Sequence, residues 1–261
     1  MKIVAAYKWT ADPQEAQVAA DGRVDLSRAR PVVSGYDAVA IEVGSRLAKD
    51  GGELVGASVG GPATASPIAV KTALARGLDR TVVVADDAVD GAGTAAAARV
   101  LAAVVQHIGD VDVVLTGDCS IDVAARMVPA VLAGVLGWPA LTDVTAVEPM
   151  ADGTLRVERV VPEGVQVLAV QTPAVIAVAT DAAVPRVPGM KDVLAAGRKP
   201  VEKLDLAALG VEPTELTALA GTVRARAQAE RAVRKQHVID TADPAVAAAE
   251  LVDTLREAGV W

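Results

Sequence analysis

The stretch Val111–Val144, VDVVLTGDCSIDVAARMVPAVLAGVLGWPALTDV, decides the fold. It opens with a short apolar run, Val111 to Leu115, and passes through Thr116-Gly117-Asp118-Cys119-Ser120. An apolar helical pattern then runs from about Ile121 to Leu136. Strand, turn and helix in that order place free backbone N–H groups and the positive end of a helix dipole beside the carboxyl end of a strand, where an anion is welcome. Pro129 falls inside the helical pattern and predicts a kink or one missing backbone bond.

Upstream, the same unit recurs. Lys2–Tyr7 reads as a buried first strand, and Trp9–Arg30 is polar and turn-rich, with room for a small hairpin. Ser34-Gly35-Tyr36-Asp37 precedes AVAIEVGSRLAKD, a helix through Leu47 with Ser34 or Asp37 as its cap. ELVGASVGGPA holds a strand ending at Gly60-Gly61-Pro62, and Ser66-Pro67 opens the helix IAVKTALARGLD. Thr81–Val84 is a third strand, followed by Asp86-Asp87 and an alanine-rich helix from about Gly93 to His107. Strands alternating with helices predict a doubly wound, mostly parallel α/β sheet with right-handed crossovers.

Downstream the pattern changes. Between Ala140 and Val178, short apolar runs are separated by Asp152-Gly153 and Glu163-Gly164, so antiparallel strands extend the parallel sheet. VPRVPGMKDVLAAGRKP sets two prolines before a short helix. From Val201 onward the chain reads as an arm with a final amphipathic helix, Pro244–Ala258. The expected organisation is an α/β body over residues 1–200 and a C-terminal arm over 201–261.

Composition narrows the function. Hydrophobic residues make up 52% of the 261 positions, so a large core is required. Aromatics are only 2%, with no Phe, which removes the stacking platforms of single-strand binding. A net charge of -8 gives no field that draws the chain to nucleic acid or anionic lipid, and the basic run Arg224–Lys235 reads as a solvated arm. The single Cys119 forms no internal disulfide, and His107 and His237 have no metal-ligand spacing, so no metal site is expected. No stretch reads as a signal peptide or a membrane span, and the cytoplasm is the simplest location.

Three glycine-bearing strand ends, at Ser34-Gly35, Gly60-Gly61 and Gly117, surround one pocket if their strands are neighbours; otherwise they merely end strands. Neither GxGxxG nor GxxxxGK[ST] occurs. Asp118 and Asp122 flank the turn into the helix, either as caps or as partners of a ribose or adenine. No His, Lys or metal partner is placed to make them catalytic, so no catalytic residue is assigned. Cys119 is either a thiol activated by a helix N-terminus or a small packed residue.

Assembled, these segments resemble the β subunit of electron transfer flavoproteins, most closely the Fix-type branch associated with carnitine metabolism. Three long pieces carry the resemblance: TGDCSID to GWPALTDV, YDAVAIEVGSRLAKDGGELVGASVGGPA, and TPAVIAVATDAAVPRVPGMKDVLAAGRKPV. The resemblance implies an adenine nucleotide-binding, Rossmann-like α/β domain over 1–200 and a C-terminal arm, 201–261, wrapping an α subunit that holds most of the FAD. It implies a heterodimer that takes electrons from an acyl-CoA dehydrogenase type donor and passes them on, a carrier rather than an enzyme by itself. AMP-contacting places carry over to Ala6, to Ser34, Gly35, Tyr36 and Asp37, and to Gly60. A further run covers Asp122, Val123, Ala124, Ala125, Arg126, Met127 and Val128 and continues to Ala133.

The departures have chemical consequences. DVAARMVP lacks the Gln-Thr-Gly hydroxyl and amide donors of many relatives, so backbone N–H groups from Asp122 to Val128 are expected to hold a phosphate. Ser34-Gly35-Tyr36 replaces Asn-Pro-Phe, and neutral Gln166 replaces a hairpin glutamate. The pocket's occupant stays open between AMP, a second FAD and NAD, since electron-bifurcating relatives carry FAD there. Met190 aligns with an apolar anchor for the dehydrogenase partner; its alternative is to pack the short helix onto its own domain. A stand-alone nucleotide-binding regulator on the same fold is the rival reading.

Overall fold

The computed structural model describes residues 1–19, 21–220 and 236–260. Two compact units divide the chain, Met1–Thr222 and Val223–Trp261. In the first unit, β1 (Lys2–Ala6) is followed by two small antiparallel pairs built from β2 (Trp9–Ala11), β3 (Gln17–Val18), β4 (Val24–Asp25) and β5 (Pro31–Val33). Within them β3 lies against β4 and β2 against β5. The body continues through α1 (Gly35–Leu47), β6 (Glu53–Gly60), α2 (Pro67–Leu74), β7 (Arg80–Ala85), α3 (Thr94–Ile108) and β8 (Val113–Gly117). Next come α4 (Val128–Leu136), β9 (Ala140–Pro149), β10 (Leu155–Val161), β11 (Gly164–Val170) and β12 (Ala174–Val178). The unit closes with α5 (Met190–Ala196), β13 (Val201–Leu204) and α6 (Pro213–Leu219).

Nine strands form one sheet in the order β11-β10-β9-β12-β8-β1-β6-β7-β13. From β9 to β13 across the sheet all neighbours are parallel, and β9, β10 and β11 form the antiparallel extension. Successive residues of the buried strands serve opposite faces. Ile3 and Ala5 pack with Ile41, Leu74 and Ala196 of α1, α2 and α5. Val4 and Ala6 pack with Val100, Leu132 and Leu216 of α3, α4 and α6. Apart from the buried Tyr7, the core is made of Val, Ala, Leu and Ile, as the absence of Phe demands.

The chain winds from β1 outward to β6 and β7, then returns across β1 to place β8 on its other side. Between β1 and β8 the winding reverses, and the crevice beyond the carboxyl ends of those strands is where open α/β sheets take ligands. Tyr7, just past β1, is buried, and its hydroxyl lies 3.1 Å from Thr81 Oγ1. Burial pushes its pKa up to about 12. Tyr7→Phe should cost about 1 kcal/mol, read as a lower urea midpoint, because Thr81 still donates to the Gly56 carbonyl and one hydrogen bond alone is lost.

Two local expectations are corrected. The helix expected from Ile121 begins at Val128, so Pro129 stands in its first turn and does not kink it. Residues 120–127 form a strap instead, with Ala124 and Arg126 at φ 51° and 55°, outside any right-handed helix. Cys119 therefore lies well before a helix N-terminus. At α1, Ser34 occupies the N-cap position without a side-chain cap bond.

Beyond residue 200 the chain does not leave the body at once. Val201–Leu204 finds the open parallel edge of β7, and the Glu202 carboxylate sits 2.7 Å from His107 Nε2 on α3. In the second unit, α7 (Pro244–Glu257) starts at Asp243, whose carboxylate accepts from Ala245 N. The basic run Arg224–Lys235 lies outside the described residues. No helix among the described residues is long and apolar enough to cross a membrane.

Candidate functional site

A cavity of about 470 Å³ opens at this switch point. Its floor is made by the strand ends Ala6, Gly60 and Gly117, so the glycine-bearing ends of β6 and β8 do converge, beside β1. Asp90, Gly91, Gly93 and Thr94 before and into α3 form one wall. The strap and the start of α4, from Asp122 to Pro129, form another.

Close packing at the strand ends depends on glycine. A Cβ on Gly117 would lie 2.5 Å from Tyr36 Cβ and 2.7 Å from the Tyr36 carbonyl carbon. One on Gly61 would lie 2.9 Å from Asp90 Cγ. Side chains at these points would push the loop after β7 and the start of α1 away from the sheet.

Asp37 ties the floor together. Fully packed inside, it accepts from Lys8 N at 2.8 Å and from Gly117 N at 3.2 Å, holding the exits of β1 and β8 side by side. Desolvation outweighs those hydrogen bonds and pushes its pKa up to about 7. It is a floor clamp and not a helix cap.

Asp118 and Asp122 do not cap the following helix, one of the two roles expected of them. Asp118 is buried; it accepts from Asp143 N at 3.2 Å and lies 3.5 Å from Arg126 Nη2. Burial raises its pKa. Asp122 meets Lys8 Nζ at 2.6 Å and Thr10 Oγ1 at 3.0 Å. Burial works to raise its pKa too, but the bonds from Lys8, Ser120 and Thr10 win and hold it well below the usual carboxylate range. Arg126 also reaches Asp143 on β9, at 3.1 Å. Each carboxylate in this group is thus answered by a donor of the protein itself.

Two helices begin at the cavity without side-chain caps, α3 after Gly93 and α4 after Met127. Their first N–H groups have no partners within the helix, and their dipoles are positive there. Left-handed Arg126 followed by right-handed Met127 is the backbone alternation that gathers successive N–H groups into an anion-binding concavity. The arrangement suits a phosphate held by backbone groups, with apolar walls from Val59, Val89, Leu101 and Val128 for a flat ring.

Of the residues singled out from sequence, Ala6, Asp37, Gly60, Asp122, Val123, Ala125, Arg126, Met127 and Val128 line the cavity. Ser34, Gly35, Tyr36, Ala124 and Ala133 do not. Ser34 is wholly buried with its Oγ unpartnered, Ala133 is buried on the core side of α4, and Tyr36 lies with its backbone and Cβ against Gly117. Lys8, Thr10, Thr64, Asp90 and Thr94 line it without having been singled out. For Asp90 and Thr94 a signal existed: the turn-rich DDAVDGAG follows a strand that neighbours β6, and such loops meet at a switch point. Met190 heads α5 with 79% of its surface exposed, so it does not pack that helix onto the body. Gln166 accepts from Arg159 Nε at 3.0 Å across the hairpin. Among the described residues, no group of three or more His, Cys, Asp or Glu could hold a metal ion.

Compared with known families, residues 23–209 match the electron transfer flavoprotein domain.

Proposed function

Because the chain belongs to the electron transfer flavoprotein family, whose members are electron carriers rather than enzymes, we propose that it is the β subunit of a heterodimer of the Fix-type, carnitine-associated branch. In this reading the switch-point cavity holds the adenylate part of a nucleotide, AMP or the corresponding half of a second FAD. The α subunit holds most of the redox FAD. The flavin supplies the electron chemistry, and this chain supplies binding and surroundings.

The observation that carries the reading is the pairing of two uncapped helix starts with carboxylates already matched inside the protein. A phosphate entering there would meet helix-start N–H groups, and of the lining carboxylates Asp37, Asp118 and Asp122 already hold donors of the protein. Exposed Met190, with Val187 and Leu194 exposed around it, supports its role as the anchor for an acyl-CoA dehydrogenase type donor. The second unit, with the segment before it, is the arm offered to the α subunit.

Purification from the native host followed by denaturation and nucleotide counting tests this. One AMP and one FAD per heterodimer is the expected result. Two FAD and no AMP would assign a bifurcating complex, and a β chain isolated alone as a stable, flavin-free monomer or homodimer would overturn the subunit assignment.

A further inference from the structure

The strap, residues 120–127, lines one wall of the cavity, yet little backbone pairing holds it in place. Within it, Ala124 N donates to the Ser120 carbonyl, while positions 122–127 are exposed to solvent. Two side-chain tethers fix its ends. At the far end Arg126 reaches back to Asp118 and Asp143. At the near end, Asp122 receives both Lys8 Nζ and Thr10 Oγ1, from the segment that leaves β1.

We propose that Lys8, assisted by Thr10, is a positioning residue for the nucleotide, acting through Asp122 by holding the strap against the carboxyl end of β1. The proposal rests on the nucleotide reading above, and it changes what Asp122 does. With Lys8 and Thr10 both on its Oδ2, Asp122 serves first as the strap's anchor, and any ribose or adenine contact would fall to Oδ1. Lys8 is well placed for this, because its own backbone N–H is bonded to Asp37, which also holds Gly117. One residue thereby links the floor of the cavity to its strap wall. Its bond to Asp122 uses one of the ammonium's three donors, and the tether to the strap is the role the geometry shows.

The test uses the full chain as Lys8→Met, Lys8→Arg and Thr10→Val, with AMP as the probe. Two readouts are taken: AMP affinity by calorimetry, and the rate of tryptic cleavage after Arg126 without nucleotide. Lys8→Met should bind AMP about tenfold more weakly, as expected for one partly exposed charge-assisted bond, and should be cut faster at Arg126. Lys8→Arg should restore both, and Thr10→Val should show a smaller change in the same direction. Unchanged cleavage together with unchanged AMP affinity in Lys8→Met would overturn the proposal, as would failure of Lys8→Arg to restore either property. If cleavage accelerates but the wild-type chain itself binds no AMP, the tether stands and the nucleotide reading falls.

Discussion

Gly117→Ala is expected to destabilise the first unit by about 3 kcal/mol, the upper part of the range for overpacking a closed site, and to abolish nucleotide binding. The added methyl would lie 2.7 Å from the Tyr36 carbonyl carbon and 2.9 Å from Asp37 Oδ1. Backbone cannot rotate out of the way as a side-chain tip can, so β8 must separate from the start of α1. That separation breaks the Gly117 N bond to Asp37 and widens the floor of the cavity. Urea denaturation and AMP titration measure the two effects. Gly134→Ala is the control, since a Cβ there meets nothing within 4 Å. It should stabilise α4 by about 0.5–1 kcal/mol, the ordinary gain of Ala over Gly inside a helix.

Asp37→Ala is the second large effect, and its size should depend on pH. Removing the carboxyl leaves Lys8 N and Gly117 N without their acceptor, at about 1–3 kcal/mol for each buried donor. Against that, the wild-type protein bears the cost of a buried negative charge once Asp37 ionises. Its pKa is about 7 in the folded chain and near 4 in the unfolded one, so between those values the folded state binds more protons. Stability from this group therefore falls as pH rises from about 4 through about 7, and is level above that. The wild-type advantage over Asp37→Ala should be largest at about pH 4 and below, still be falling at pH 5, and shrink by a few kcal/mol at most by pH 8.5. Urea midpoints of both proteins across that interval measure the difference, and the other carboxylates largely cancel in the subtraction. A gap that widens with rising pH would refute the buried, late-ionising Asp37.

Reading the architecture from the chain succeeded where the signal is local and repeated. Apolar runs of strand length, punctuated by Gly and Asp-Gly and alternating with helical patterns, specify a parallel sheet, and the later hairpin turns specify its antiparallel extension. The reading failed at residues 120–127. Ile121, Val123 and Met127 have helical spacing with Val128 and Leu132, but Ala124 and Arg126 adopt left-handed backbone and the helix waits for Val128. Pro129 was the available clue, since Pro belongs in a first turn more often than in an interior. Val201–Leu204 misled for a related reason: a four-residue strand becomes visible only when an open edge such as that of β7 is there to receive it.

By itself, then, the sequence determined the doubly wound class, a core built almost wholly from aliphatic side chains, and the glycines that let strand ends approach their neighbours. All of these follow from nearest-neighbour conformational preference and the period of apolar residues. Which strand ends meet, and which charges answer one another across the cavity, only the tertiary structure decided. Lys8 and Asp122 are 114 positions apart, Asp37 and Gly117 are 80, and Lys8 and Asp37 are 29. No pattern along the chain encodes such pairs; the reversal of winding at β1 and β8 brings them within hydrogen-bond reach, and burial then sets whether each carboxylate is charged.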